Sequence, residues 1–254
     1  MLLAIDIGNT NVVLGIHHQG RWVAHWRIRT VRDKMPDEYG VLFRAFLREQ
    51  SIELADIERV ILSSVVPPLT GAFRELCQQY LGQPALVLGP GVRTGLNIRT
   101  DNPAEVGADL IANAVAAYDR FQSDCIVVDF GTATTFSAVA VPGEFLGVAI
   151  APGLGVAADA LAGRAAQLPR IQLSAPPTAI GKNTVHSMQA GLVFGYVGLV
   201  NGLIGRLRSE LGGQVRVVAT GGRAEVIAPL TQQIDIVDPW LTLEGLRLIA
   251  ELNA

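Results

Sequence analysis

One pattern occurs twice in this chain. Cys125-Ile126-Val127-Val128-Asp129-Phe130-Gly131-Thr132 echoes Leu2-Leu3-Ala4-Ile5-Asp6-Ile7-Gly8-Asn9. Each is an apolar run, then Asp, one apolar residue, Gly, and a hydroxyl or amide. The copies stand 123 residues apart in a chain of 254. An internal repeat sets the architecture. It predicts two similar halves, residues 1–121 and 122–254, facing each other across a cleft. A later strand, Val215 to Thr220, runs into Gly221-Gly222, a third turn of the same kind.

Apolar runs predict strands at 2–5, 12–16, 22–28, 59–65, 85–88 and 125–128, the second and third forming a hairpin. Helical spacing of Tyr39, Leu42, Phe43, Phe46 and Leu47 predicts a helix over 38–49, with others over 69–80 and 107–121. Strands alternating with helices make this an α/β chain. Half the residues are hydrophobic and 17% are charged, which supplies a large core and excludes disorder. The net charge of −3 argues against nucleic acid as a partner. Cys77 and Cys125 match no disulfide or zinc spacing and read as buried thiols of a reducing compartment. No leader pattern and no unbroken apolar run of membrane length occurs, so the expectation is a soluble cytoplasmic protein with no membrane partner.

At the end of a buried strand, Asp6 can hold a metal ion directly or through water. Gly8 lets the backbone turn, and Asn9, Thr10 and Asn11 offer groups to phosphate oxygens. Hard oxygen ligands of this kind suit Mg²⁺. Asp129 to Thr135 offers the same kit from the other half. One Asp-x-Gly turn is common, and the alternative here is a pair of tight hairpins. Matched copies in matched halves favour phosphate binding. No GxxxxGK[ST] and no GxGxxG follows a strand, which excludes the P-loop and dinucleotide fingerprints.

Glu105 and Asp109 are four apart, so on one helix they share a face. Gly107 between them leaves room for a substrate. From spacing alone Asp109 is either a general base or a helix-start charge. Glu105 reads as a helix-start residue, Lys182 after Gly181 either as a point charge for phosphate or, more commonly for a lone loop lysine, as a solvated cation, and the four histidines form no metal spacing.

Six blocks stand in the order seen in type III pantothenate kinases: residues 6–11, 102–109, 127–134, 149–153, 181–184 and 219–222. The chain resembles that family over nearly its whole length, to Leu241-Thr242-Leu243-Glu244-Gly245-Leu246. The resemblance implies the acetate- and sugar-kinase/actin superfamily, with two ribonuclease-H-like domains and ATP in the cleft. It implies ATP-dependent phosphorylation of pantothenate to 4′-phosphopantothenate, the first step of coenzyme A biosynthesis. By the same resemblance, Asp6, Ile7, Gly8, Asn9, Thr10, Asn11, Val12 and Val13 form the ATP phosphate loop, Asp6 near Mg²⁺, and Thr132 is a second ATP contact. Asp129 is similar to the position that binds a monovalent cation, K⁺ or NH₄⁺. Gly107, Ala108, Asp109 and Thr184 resemble the pantothenate site, Asp109 being the base and Thr184 coming from the partner subunit of a homodimer. The segment 188–207 would then lie at the dimer interface, the alternative being a core helix.

Three positions depart from the family pattern: Thr100 for Tyr, Leu110 for Arg and Val148 for Gly. Thr100 and Leu110 belong to the pantothenate pocket in that pattern. A guanidinium can bind a carboxylate bidentately, whereas Leu offers no donor. The loss of such a partner weakens binding by roughly 10- to 100-fold. Arg93 and Arg99 are candidate substitutes. Three readings follow: a pantothenate kinase with an altered pocket, a phosphotransferase of the same fold acting on a less charged alcohol, and a nucleotide-binding regulatory relative without turnover.

Overall fold

The structure, a computed structural model, describes residues 1–254. The two echoing segments become strands in equivalent places of two sheets. The first sheet holds β1 (Leu2–Ile7), β2 (Asn11–His18), β3 (Arg21–Arg29), β4 (Arg59–Ser64) and β5 (Ala85–Val87), in the order β3-β2-β1-β4-β5. The second holds β6 (Asn97–Ile98), β7 (Cys125–Phe130), β8 (Ala133–Ala140), β9 (Glu144–Pro152), β10 (Arg216–Thr220) and β11 (Ile236–Val237), in the order β11-β10-β7-β8-β9-β6. β1 runs antiparallel to β2 and parallel to β4. β7 repeats this with β8 and β10. The copies even share one sequence of burial, with every residue buried except the aspartate, which is half-exposed. Strands covered on both faces read as unbroken apolar runs, which is why this pair stands out in the sequence.

Helices α1 (Pro36–Glu49), α2 (Pro67–Leu76), α3 (Ala108–Phe121), α4 (Leu154–Arg164), α5 (Thr184–Gln189), α6 (Gly195–Leu211), α7 (Ala224–Ile227) and α8 (Leu241–Leu252) complete the fold. Pro36 begins α1, where its missing N–H is no loss. Tyr39, Phe43 and Leu47 turn inward, and Tyr39 packs on Phe73 of α2 at 4.7 Å between ring centroids. Pro67-Pro68 both ends the β4 segment and starts α2. The helix expected over 69–80 gives way after Leu76 to a wider π turn, Cys77–Leu81, that stops at left-handed Gly82. α3 is buried without a break from Leu110 to Ala117, and its many alanines suit burial on every side.

Two compact units emerge. One comprises residues 1–95, 101–116 and 241–254, the other 96–100 and 117–240. In the first, α8 packs on β1 and β4. Its Gly245 meets the backbone of Ala112 so closely that a Cβ there would overlap the Ala112 carbonyl. Thr242 Oγ1 donates to Asn113 Oδ1 at 2.8 Å, so the first turn of α8 is tied to the second turn of α3. In the second, Val193, Tyr196, Val200 and Ile204 of the long helix Thr184–Leu211 join the core over β7, β8 and β10. That helix has the length and composition to cross a membrane, and its apolar inner face is used as core.

Candidate functional site

In the first unit, β1 delivers Asp6 to the mouth of a tight turn. The Gly8 N–H donates to the Asn11 carbonyl at 2.9 Å, and a Cβ on Gly8 would stand 3.2 Å from that oxygen. Asn9, Thr10 and Asn11 are exposed. Beneath them, Ser63 on β4 is in register with Asp6, and its buried hydroxyl has no hydrogen-bond partner. Thr30 grips the turn from behind. Its hydroxyl donates to the Gly8 carbonyl at 2.7 Å and its N–H to the Thr10 carbonyl at 2.9 Å. These two bonds engage the Gly8 and Thr10 carbonyls from behind.

The second unit places Asp129, Gly131 and Thr132 on the equivalent turn of β7 and β8. Thr220 of β10 is the counterpart of Ser63, in register with Asp129 and buried. Two glycines from elsewhere close on this turn. The Gly153 N–H donates to the Thr132 carbonyl at 3.1 Å, and a Cβ on Gly153 would overlap the Gly131 and Thr132 carbonyls. Gly221, with φ +89°, lies against Asp129 Oδ1 and the Phe130 backbone with no room for a side chain. The Tyr196 hydroxyl is hydrogen-bonded to Thr134 Oγ1 at 2.6 Å and donates to the Pro152 carbonyl at 2.8 Å, and burial pushes its pKa up.

Asp109 stands in the first turn of α3. Burial pushes its carboxyl above the usual range, and the Leu110 N–H, donating to Oδ1 at 2.9 Å, pulls part of that back. Glu105 does not share its helix, contrary to expectation. Pro103–Glu105 is a separate 3₁₀ turn, with Asn102 Nδ2 donating to Glu105 Oε1 at 2.7 Å, and extended Val106 separates it from α3. The space at Gly107 is filled by Asp109 itself, because a Cβ there would stand 2.5 Å from Asp109 Oδ1. Leu110 is buried, and Val148 lies half-buried in β9 opposite Ser137. Thr100 has a buried hydroxyl with no hydrogen-bond partner. Arg99 is held by Glu144, with Nη2 2.6 Å from Oε1. Thr184 opens α5 on the surface, after Asn183, whose side chain caps that helix by accepting from the His186 N–H at 2.9 Å. Lys182 is exposed.

Asp6 to Val13 and Gly107 to Leu110 thus belong to the first unit, and Thr100, Asp129, Thr132 and Thr184 to the second. Sequence reasoning missed Thr30, Ser63 and the close approaches of Gly153 and Gly221. The blocks 149–153 and 219–222 drew attention to both glycines, but the turn they pack against lay elsewhere in the chain. No group of three or more His, Cys, Asp or Glu side chains forms a ready metal cage. Mg²⁺ needs none when substrate phosphates supply most of its ligands.

The family model described as type III pantothenate kinase matches residues 2–206. Relatives named type III pantothenate kinase include one from Moorella thermoacetica, 54% identical over 253 residues and covering 100% of both chains. Another, from Myxococcus xanthus, is 51% identical and covers 100% of this chain and 99% of its own. Among solved structures, a putative 2-dehydro-3-deoxygalactonokinase from Sinorhizobium meliloti has a TM-score of 0.65 at 14% identity, covering 99% of this chain and 96% of that one. MreB 5 of Spiroplasma citri, bound to AMPPNP, has a TM-score of 0.58 at 8% identity over 99% and 96%. At such identities these two are likenesses of fold, that of the sugar kinases and actin-like ATPases.

Proposed function

The chain belongs to the type III pantothenate kinase family, and on that premise we propose that it transfers the γ-phosphoryl group of ATP to the primary hydroxyl of pantothenate. The products are 4′-phosphopantothenate and ADP, in the first step of coenzyme A biosynthesis. The observation that carries the chemistry is the Asp109 carboxyl, its proton affinity raised by burial at the start of α3. An alcohol must lose a proton as it attacks phosphorus, and a carboxylate of raised affinity is the better acceptor. The rest is positioning and charge neutralisation.

The turn Asp6 to Val13 holds the ATP phosphates and Thr132 adds a further contact. Asp6 and the phosphate oxygens would hold Mg²⁺, which supplies charge neutralisation when bound. Asp129 would hold the monovalent cation, K⁺ or NH₄⁺, a role supported by its place near the end of β7, where Gly221 packs against its Oδ1. Thr100, Gly107, Ala108 and Leu110 contact pantothenate, and the unsatisfied Thr100 hydroxyl supports this. Thr184 completes the site of a second copy in a homodimer. The outward face of the long helix supports dimerisation, because Gly191, Gly195, Gly198, Gly202 and Gly205 are exposed at alternating spacings of four and three. A second helix could approach such a face closely. The two free thiols, pushed up to about 12 by burial, fit a cytoplasmic location.

The test is product formation from ATP, Mg²⁺, K⁺ and pantothenate, followed by mass. Absence of 4′-phosphopantothenate at millimolar pantothenate would defeat the proposal. One observation favours a second reading, a less charged alcohol: Leu110 carries no donor and Arg99 is already paired with Glu144. Leu110→Arg would then raise pantothenate use at least tenfold, and an unchanged KM would remove that reading.

A further inference from the structure

Residues 30–35, between β3 and α1, form a strap along the first turn, and the reaction as described leaves them without a role. Both ends are fixed. Thr30 is tied to Gly8 and Thr10 through its hydroxyl and N–H. Next to it, the buried Tyr39 hydroxyl donates to the Val31 carbonyl at 3.0 Å and accepts from the Val31 N–H at 3.2 Å. At the far end, the Met35 N–H donates to Glu38 Oε2 at 2.9 Å, and Lys34 turns its ammonium over the Tyr39 ring, 5.3 Å from the centroid.

Arg32 is the exposed cation of this strap. Its Nη2 donates to Asn9 Oδ1 at 3.2 Å, on the turn itself. No carboxylate pairs with it. A guanidinium has five donors in a planar fork, and one bond to Asn9 leaves the others available. An arginine on a mobile loop would simply be solvated. This one is held by an uncharged side chain of the turn, on a segment pinned on both sides, so most of the ordering needed to meet an anion has been met by folding. We infer that Arg32 is a catalytic residue that donates hydrogen bonds to the γ-phosphoryl oxygens of ATP as they pass to the acceptor.

This inference rests on the reading of Asp6 to Val13 as the phosphate loop. During transfer, a bond forms between the alcohol oxygen and the γ-phosphorus. The bond from that phosphorus to the β,γ-bridging oxygen breaks, its electron pair leaves with ADP, and the alcohol proton goes to Asp109. Arg32 makes and breaks no covalent bond. Its charge meets the oxygens of the group in flight, where an oriented donor is worth most.

The experiment compares Arg32→Gln, Arg32→Lys and the unmodified protein in turnover and in calorimetric binding of ADP and AMPPNP. For Arg32→Gln, kcat falls by about 100-fold, ADP affinity stays within about twofold, and the melting temperature is unchanged because the side chain is exposed. Arg32→Lys recovers part of the loss, since it keeps the charge without the fork. A kcat for Arg32→Gln within twofold of the unmodified protein overturns the inference. So does equal weakening of ADP and AMPPNP with kcat intact, which would make Arg32 a prop of the turn. The kinase reading is judged separately, by the unmodified protein and Asp109→Asn. If the unmodified protein makes no phosphorylated product, that reading falls and Arg32 falls with it.

Discussion

The turns after β1 and β7 start from one scaffold and end as different devices. Each follows a strand of the same burial, paired antiparallel on one side and parallel on the other, with a buried hydroxyl, Ser63 or Thr220, in register with its aspartate. What leans on them differs. Behind the first lies the Thr30–Arg32 strap, which engages its carbonyls and brings a guanidinium to Asn9. Against the second press Gly153 and Gly221, so closely that neither tolerates a Cβ. A duplicated frame fixes where an acid goes, and the neighbours decide whether its turn carries an exposed guanidinium or is packed against glycines.

The largest expected effect separates the chemistry from both turns. Asp109→Asn should lower kcat by about 10³-fold, within the range of a lost general base, while nucleotide binding persists; turnover above a tenth of the original would remove Asp109 as the base. In the unmodified protein, kcat should fall as pH drops through the raised pKa of Asp109, since only the carboxylate accepts a proton. The stability consequence has the opposite sense. A carboxyl raised by folding binds protons more tightly in the native state, so its contribution is present at low pH and lost as pH rises through the folded pKa. Asp109→Asn should therefore melt at or above the original temperature near pH 7, and that advantage should vanish in acid. A lower melting temperature at pH 7 would contradict the burial argument.

Glycine substitution tests the two turns directly. Gly221→Ala places a side chain at φ +89° and into Asp129 and Phe130. The backbone conformation alone costs about 1–2 kcal/mol, and the overlap adds to it. Gly8→Ala meets one carbonyl at 3.2 Å and carries no such backbone penalty, so it should cost under about 1 kcal/mol. Chemical denaturation of both variants decides, and equal losses would erase the contrast. Smaller still is Asp129→Asn, which should flatten the response of kcat to added K⁺ while leaving the Mg²⁺ requirement in place. Undiminished K⁺ activation would move the monovalent site elsewhere.

The strands that carry Asp6 and Asp129 were legible because burial on both faces leaves an unbroken apolar run. Pro67-Pro68 was legible as a break, and α1 as a stripe. β8, rich in small and hydroxyl residues, and β9, rich in small ones, gave no clear period, and β6 is a two-residue strand made only by pairing with β9. Asp6, Asp109 and Asp129 could be picked out as carboxylates at element ends, whereas their separate roles came from resemblance. The phase between Glu105 and Asp109 was misjudged because extended Val106 interrupts what composition suggests is helix. The strap at 30–35 has no periodicity at all. Its significance lies in hydrogen bonds to a turn more than twenty residues away, which local pattern cannot carry.

The central claim is that this chain moves a phosphoryl group from ATP to pantothenate with Asp109 as the proton acceptor. The most direct measurement is mass detection of 4′-phosphopantothenate, formed from ATP, Mg²⁺, K⁺ and pantothenate by the purified protein and by Asp109→Asn side by side. The account predicts steady product from the first and about a thousandfold less from the second. Equal product from both, or none from either while ATP still binds, would contradict it.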